Sequence, residues 1–225
     1  MLAPPAALAP LWHTRALVLL LLTGAALGSA LAPQAAVATD HASRLAGCYL
    51  PLLVMNVSFL LYVSRFGLAR SIFGDLLGTR RDLTVGALGN LAWGAALVIG
   101  VLAAENLLQS LIGFPDSAAA HALVPSSGIE KLCWLGLAAV VGLSEELVYR
   151  GYLQRQLAAL TGRLGLGIAL QALLFGIAHG QQGAWAVARF AVYALAFGWV
   201  AARRRTLLPC VLAHIALDLC AGLGV

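Results

Sequence analysis

Charge is what this sequence has least of. Of its 225 residues only 10% are Asp, Glu, Lys or Arg, while 61% are hydrophobic. Soluble domains carry about 25% charged residues, so a water-exposed fold of this size would lack the polar surface to cover itself. The composition is that of a membrane protein. No CxxC pair occurs among the four cysteines, Cys48, Cys133, Cys210 and Cys220; they read as small apolar packing residues rather than a disulfide framework. HExxH is missing too, and no long repeat, low-complexity run or disordered tail stands out beyond the Ala/Pro-rich start. The net charge of +5 does not imply a nucleic-acid partner, because the arginines fall at the ends of apolar runs, where they set orientation in a bilayer.

What the chain does have is apolar length. Crossing the hydrocarbon takes about 20 apolar residues, and seven segments qualify, near 16–32, 45–64, 84–104, 131–150, 163–180, 184–202 and 207–224. The expected fold is all-α, a polytopic transmembrane bundle of about seven helices. Residues 1–129 are read as N-terminal membrane helices and loops. The last four spans, in residues 130–225, are joined by short connections and should pack as one antiparallel bundle. Segment 65–83, with Arg65, Arg70, Arg80 and Arg81, reads as an interfacial loop or short amphipathic helix. Segment 105–130 is the longest loop and the best lid; Glu105, Asp116 and Glu130 read there as solvated acids. His13, His41 and His121 fall at interfacial or loop positions. Arg189 lies inside a span and calls for a partner that the sequence does not identify.

With the N-terminus in the cytoplasm, Arg15, Arg65, Arg70, Arg80, Arg81, Arg150, Arg155, Arg163, Arg203, Arg204 and Arg205 face inward, and only Arg44 and Lys131 face outward. That asymmetry favours this orientation over its inverse. The first span has a rival reading as a signal peptide, since Arg15 is followed by ALVLLLLTGAALGSALA; cleavage would leave six spans in the same orientation.

Polar groups inside the later spans carry the functional signal. Glu145 and Glu146 interrupt LGLAAVVGLSEELVYRGYLQ, and a carboxylate at the bilayer centre costs roughly 2.5–3.5 kcal/mol on insertion scales. Residues four apart share a helix face, so Glu146 can pair with Arg150, near the cytoplasmic end of the span. Glu145 points about 100° away and is left to face the bundle interior. By the same spacing Phe175 shares a face with His179, and His214 with Asp218. Depth presents a conflict. Glu145 falls near the cytoplasmic end of its span and His179 near the outer end of the next, so the two meet only if span five is tilted, shifted or shorter than 163–180.

The ordered set EExxxR (Glu145, Glu146, Arg150), FxxxH (Phe175, His179) and HxxxN/D (His214, Asp218) resembles the CPBP family, the CAAX-processing and bacteriocin-processing intramembrane proteases. The likeness covers roughly residues 130–225, which become its catalytic helical bundle. It implies an intramembrane endopeptidase that hydrolyses a peptide bond near the terminus of a membrane-associated protein or peptide. In family terms Glu145 activates a water with help from His179, His214 and residue 218 stabilise the oxyanion, and Glu146, Arg150 and Phe175 support them. A carboxylate in an apolar site is suited to take a proton from water and later give it to the leaving amine, and the oxyanion needs donors already in place. Asp218 departs from the Asn of many members. Ionised Asp cannot donate; either it is protonated, or it orients His214 through a hydrogen bond.

No cofactor is expected on this reading. The competing chemistry is zinc, held by Glu145, His179, His214 and Asp218. A proton-coupled transporter, for which intramembrane acids and histidines also serve, and an idle scaffold are the non-enzymatic alternatives. The expected partners are the peptide substrate and the lipid bilayer. The expected location is a bacterial inner membrane.

Overall fold

The computed structural model describes residues 7–35, 44–65, 86–113 and 117–224. His41, the segment 65–83 from residue 66 on (with Arg70, Arg80 and Arg81), and Pro115 and Asp116 of the long loop lie outside the described residues. Among the described residues the chain is helical with no strand, so the all-α expectation holds. Helix α1 spans Leu11–Ala35; a π-helical turn, Leu45–Tyr49, leads into α2, Leu50–Ser64; α3 spans Ala87–Ile112 and the short α4 Ala118–His121. Next, α5 (Gly128–Glu146), a π-helical stretch (Leu147–Leu153) and α6 (Gln154–Thr161) run on as one helix of 34 residues. Then come α7 (Leu164–Ala178), a 3-10 turn (Gly180–Gln182), α8 (Ala184–Arg204) and α9 (Leu208–Leu223).

Five of these helices are long and apolar enough to cross a membrane. The spans expected at 163–180 and 207–224 are shorter: α7 has 15 residues and α9 has 16. The chain is an integral membrane protein, and its apolar residues point both ways. Leu17, Val63, Leu147, Leu153 and Ala194 form part of the core, while Leu19, Leu61, Leu88, Ile99 and Leu111 remain exposed on the outside of the bundle.

Local chemistry sets the helix ends. Ser127 starts α5 as an N-cap: its hydroxyl accepts from Glu130 N–H at 3.3 Å, and Glu130 Oε2 accepts from Ser127 N–H at 3.2 Å. Glu130 also pairs with Arg44 at 3.0 Å and is fully buried, which corrects its reading as a solvated loop acid. Gly162, with φ +69, ends α6 in the left-handed conformation and turns the chain back into α7. Pro209 sits in the first turn of α9, where a missing N–H costs nothing.

The short α7 and the long α5–α6 helix together narrow the depth conflict. Glu145 stands 16 residues before Thr161, and His179 15 residues beyond Leu164, at the other arm of the same tight turn. At 1.5 Å per residue those distances are ~24 and ~22 Å, so the two side chains come to similar levels. Glu145 is therefore near the middle of its helix and not at a cytoplasmic end, because the helix continues past Arg150 to Thr161.

Helix α9 packs against α5 and α3. At Gly142, one turn before Glu146, a Cβ would meet Ile215 Cγ1 at 2.7 Å and the Ile215 backbone nitrogen at 3.1 Å. Only glycine lets α9 approach this closely, and Ile215 follows His214. Gly142→Ala should therefore push α9 outward and destabilise the protein by about 1–3 kcal/mol, as overpacking does. A lowered midpoint of thermal unfolding in detergent checks this.

Candidate active site

Glu145 and Glu146 close α5 directly before the π-helical stretch that carries Tyr149 and Arg150. π turns insert an extra residue per turn and recur at functional sites. Glu146 is fully buried and its Oε1 accepts from Arg150 at 2.7 Å, as the four-residue spacing predicts. Arg150 itself is 2% exposed. Its guanidinium lies 4.6 Å from the Phe175 ring centroid and 5.2 Å from that of Phe197, so carboxylate and aromatic faces share the stabilisation of its charge. This corrects the placement of Arg150 at the cytoplasmic face and takes it out of the orientation count.

The same Glu146 oxygen accepts a second hydrogen bond, from His214 Nδ1 at 2.8 Å. The other imidazole nitrogen, Nε2, lies 3.7 Å from Glu145 Oε2 and 3.9 Å from Asp218 Oδ2. The His214 ring is thus held between the two acids of the EE pair, one bonded and one facing. A hydrogen bond from His214 Nε2 to Asp218 Oδ2 is not formed at 3.9 Å; the carboxylate that accepts from this imidazole is Glu146. Asp218 is anchored instead through its backbone carbonyl, which accepts from Trp134 Nε1 at 2.9 Å. Glu145 Oε2 is buried without a hydrogen-bond partner, while the Glu145, His214 and Asp218 side chains keep 17%, 12% and 29% exposure. Three polar groups therefore share a partly open recess inside an apolar bundle.

His179 caps α7. Its Nδ1 donates to Phe175 O at 2.8 Å. A carbonyl only accepts, so Nδ1 carries the hydrogen and Nε2 of the neutral ring is an acceptor. The ring stacks on Phe190 at 4.0 Å and an interplanar angle of 26°. Phe175 lies 4.7 Å from His179 and 6.0 Å from His214, between the two histidines, and Tyr149 meets it edge-on at 4.9 Å. Phe175 is a packing residue, as its motif position suggests. Among the described residues no group of three or more His, Cys, Asp or Glu side chains is arranged to hold a metal ion.

Sequence reasoning missed Phe190 and Phe197. They stand seven residues apart on α8, one heptad on a single face, and that spacing is the signal that could have found them. It also left Arg189 without a partner; the structure supplies Glu105 of α3 at 3.0 Å, so Glu105 is helical and paired rather than a loop acid.

The protein is an all-α integral membrane protein in which acids and an imidazole from α5 and α9 share one partly open recess. Residues 128–220, from the start of α5 to the last turn of α9, match the family model described as Type II CAAX prenyl endopeptidase Rce1-like. This part of the chain is similar to the CAAX-type membrane endopeptidases; α1 to α4 lie outside the match. No curated protein and no solved structure matches the chain.

The double use of Glu146 generates a stability prediction. Glu146→Gln leaves Arg150 buried without its counter-charge, a loss of about 3–5 kcal/mol. Chemical or thermal unfolding in detergent should show it, and Glu146→Gln combined with Arg150→Met should recover most of the loss.

Proposed function

We propose that the protein is an intramembrane endopeptidase that cleaves near the terminus of a membrane-associated protein or peptide, with Glu145 and His179 activating water. The observation that carries this reading is the His214 imidazole fixed by Glu146 with its free edge toward Glu145, within the stretch matched by the endopeptidase family. Groups 3.7 Å apart are too distant for a direct hydrogen bond and suit a third oxygen that contacts both.

The step runs as follows. A water gives a proton to Glu145, assisted by the acceptor nitrogen of His179, and its oxygen bonds to the scissile carbonyl carbon. The carbonyl π-electrons move to oxygen. His214 in its protonated form donates from Nε2 to that oxyanion, as a donor already in place. The C–N bond then breaks, and the proton held by Glu145 passes to the departing amine. Asp218, facing the same nitrogen, is placed here as an electrostatic partner of the His214 imidazolium and not as an oxyanion donor. The scheme uses no metal; a stoichiometric metal whose removal abolishes cleavage would replace it.

The N-terminus is placed in the cytoplasm of a bacterial cell, on the side of Arg15, Arg155, Arg163, Arg203, Arg204 and Arg205. The substrate class is a membrane protein tail or membrane-bound peptide, with tail removal ranked above prenyl-protein processing.

Substrates are found by sequencing protein C-termini in membranes with and without this protein. On such a substrate, Glu145→Ala and His179→Ala should each lower kcat by about 10²–10⁴-fold; wild-type rates in both would end the endopeptidase reading. Asp218→Asn should keep substantial cleavage, lowered only by the loss of the charge facing His214 Nε2 at 3.9 Å, because Glu146 still holds that imidazole.

A further inference from the structure

Residues 8–14 precede the family-matched stretch by more than a hundred positions, yet buried polar contacts tie them to it. The Tyr152 hydroxyl lies 2.8 Å from His13 Nδ1 and 2.9 Å from Thr14 Oγ1. His13 and Tyr152 are fully buried and Thr14 is 3% exposed. The His13 ring stacks on Tyr62 of α2 at 4.3 Å, nearly parallel at 10°. Its Nε2 meets the Tyr62 carbonyl at 3.2 Å, and the Tyr62 hydroxyl donates to the His13 carbonyl at 3.1 Å.

The directions of these bonds follow from the groups. The Tyr62 carbonyl can only accept, so Nε2 of His13 carries hydrogen, and Nδ1 of the neutral ring accepts. Tyr152 O–H therefore donates to His13, and Thr14 O–H donates to Tyr152. The chain runs one way, from Thr14 through Tyr152 and His13 to the backbone of α2. One turn further along α6, the Gln156 amide clamps the approach to α1: Oε1 accepts from Leu8 N–H at 2.7 Å and Ala9 N–H at 3.2 Å, and Nε2 donates to Ala9 O at 2.7 Å. His13 thus lies in the first turn of α1 and is buried among α2 and the π-helical stretch.

Tyr152 belongs to the π-helical stretch, two residues after Arg150. The two side chains leave that stretch in opposite directions, Tyr152 toward α1 and α2, Arg150 toward Glu146, Phe175 and Phe197. A π turn holds its extra residue only where contacts on its sides resist a return to α-helical register. We infer that the Thr14–Tyr152–His13 chain is a positioning device for the active site, which sets the rotation of the π-helical turn and through Arg150 and Glu146 the placement of the His214 imidazole. Helix α1 is then a working part of the endopeptidase, and Tyr152, His13 and Thr14 are its positioning residues. The inference rests on the endopeptidase reading.

The test pairs kinetics with a signal that needs no turnover. In full-length protein labelled with ¹⁵N-histidine, the His214 Nδ1–H resonance is assigned by its loss in His214→Gln. Tyr152→Phe keeps the ring and removes only the hydroxyl. It should shift that resonance and lower kcat by about 10–100-fold, the effect of a small misplacement, with KM within about twofold. Thr14→Val should move both readouts in the same direction, and carries the test if Tyr152→Phe does not fold. Thr14→Ser, which restores the donor, should return both to wild type. An unmoved resonance in Tyr152→Phe and Thr14→Val overturns the inference, whatever happens to the rate. A shifted resonance in a protein whose wild type cleaves no peptide upholds the positioning device and refutes the endopeptidase reading.

Discussion

A carboxylate cut off from water must be shared among donors, and here one oxygen of Glu146 answers to two of them. Arg150 reaches it from one turn along the same helix and His214 from a different helix, at 2.7 and 2.8 Å. Without Glu146, Arg150 would be left as an uncompensated charge in an apolar interior. Much else hangs from that junction. It fixes α9 to α5, it holds Arg150 between the faces of Phe175 and Phe197, and it commits one nitrogen of His214 so that only the other faces Glu145 and Asp218.

The junction is possible because small residues allow it. Gly142 brings the backbone of α9 against α5, and the π-helical stretch beyond Glu146 changes the phase of the side chains that follow. Glu145 and Glu146 point in different directions on an α-helix, and it is the imidazole of α9 that reaches both. The two acids then differ in circumstance rather than in kind: Glu146 is fully buried and bonded through Oε1, while Glu145 keeps a partly open side chain; each has an Oε2 with no hydrogen-bond partner.

The legibility of this arrangement in the sequence divides along the distance over which each interaction acts. Helices announce themselves through local apolar runs, and the all-α membrane fold follows from them. The Glu146–Arg150 pair obeys a four-residue spacing and could be drawn on a single helix. The contact between Glu146 and His214 could not, because it joins residues 68 positions apart and depends on how closely two helices approach. Arg150 misled for a related reason. A charge normally marks the end of a span, but this one is neutralised in place, so the helix runs on to Thr161 and Glu145 lies deeper than the apolar run implied. Glu130 and Glu105 misled likewise, since a cap and an interhelical ion pair consume acids that look solvated when read alone.

The unequal lengths of the helices have a consequence for the surrounding lipid. Helices α7 and α9, with 15 and 16 residues, extend only ~22–24 Å, against a hydrocarbon layer of about 30 Å. Acyl chains beside them must compress or tilt to meet the mismatch, at fractions of a kcal/mol per Å. Beside α7 and α9 the protein therefore offers lipid a shorter apolar height than beside the 34-residue helix α5–α6, and His179, at the end of α7, lies at the edge of that shorter height.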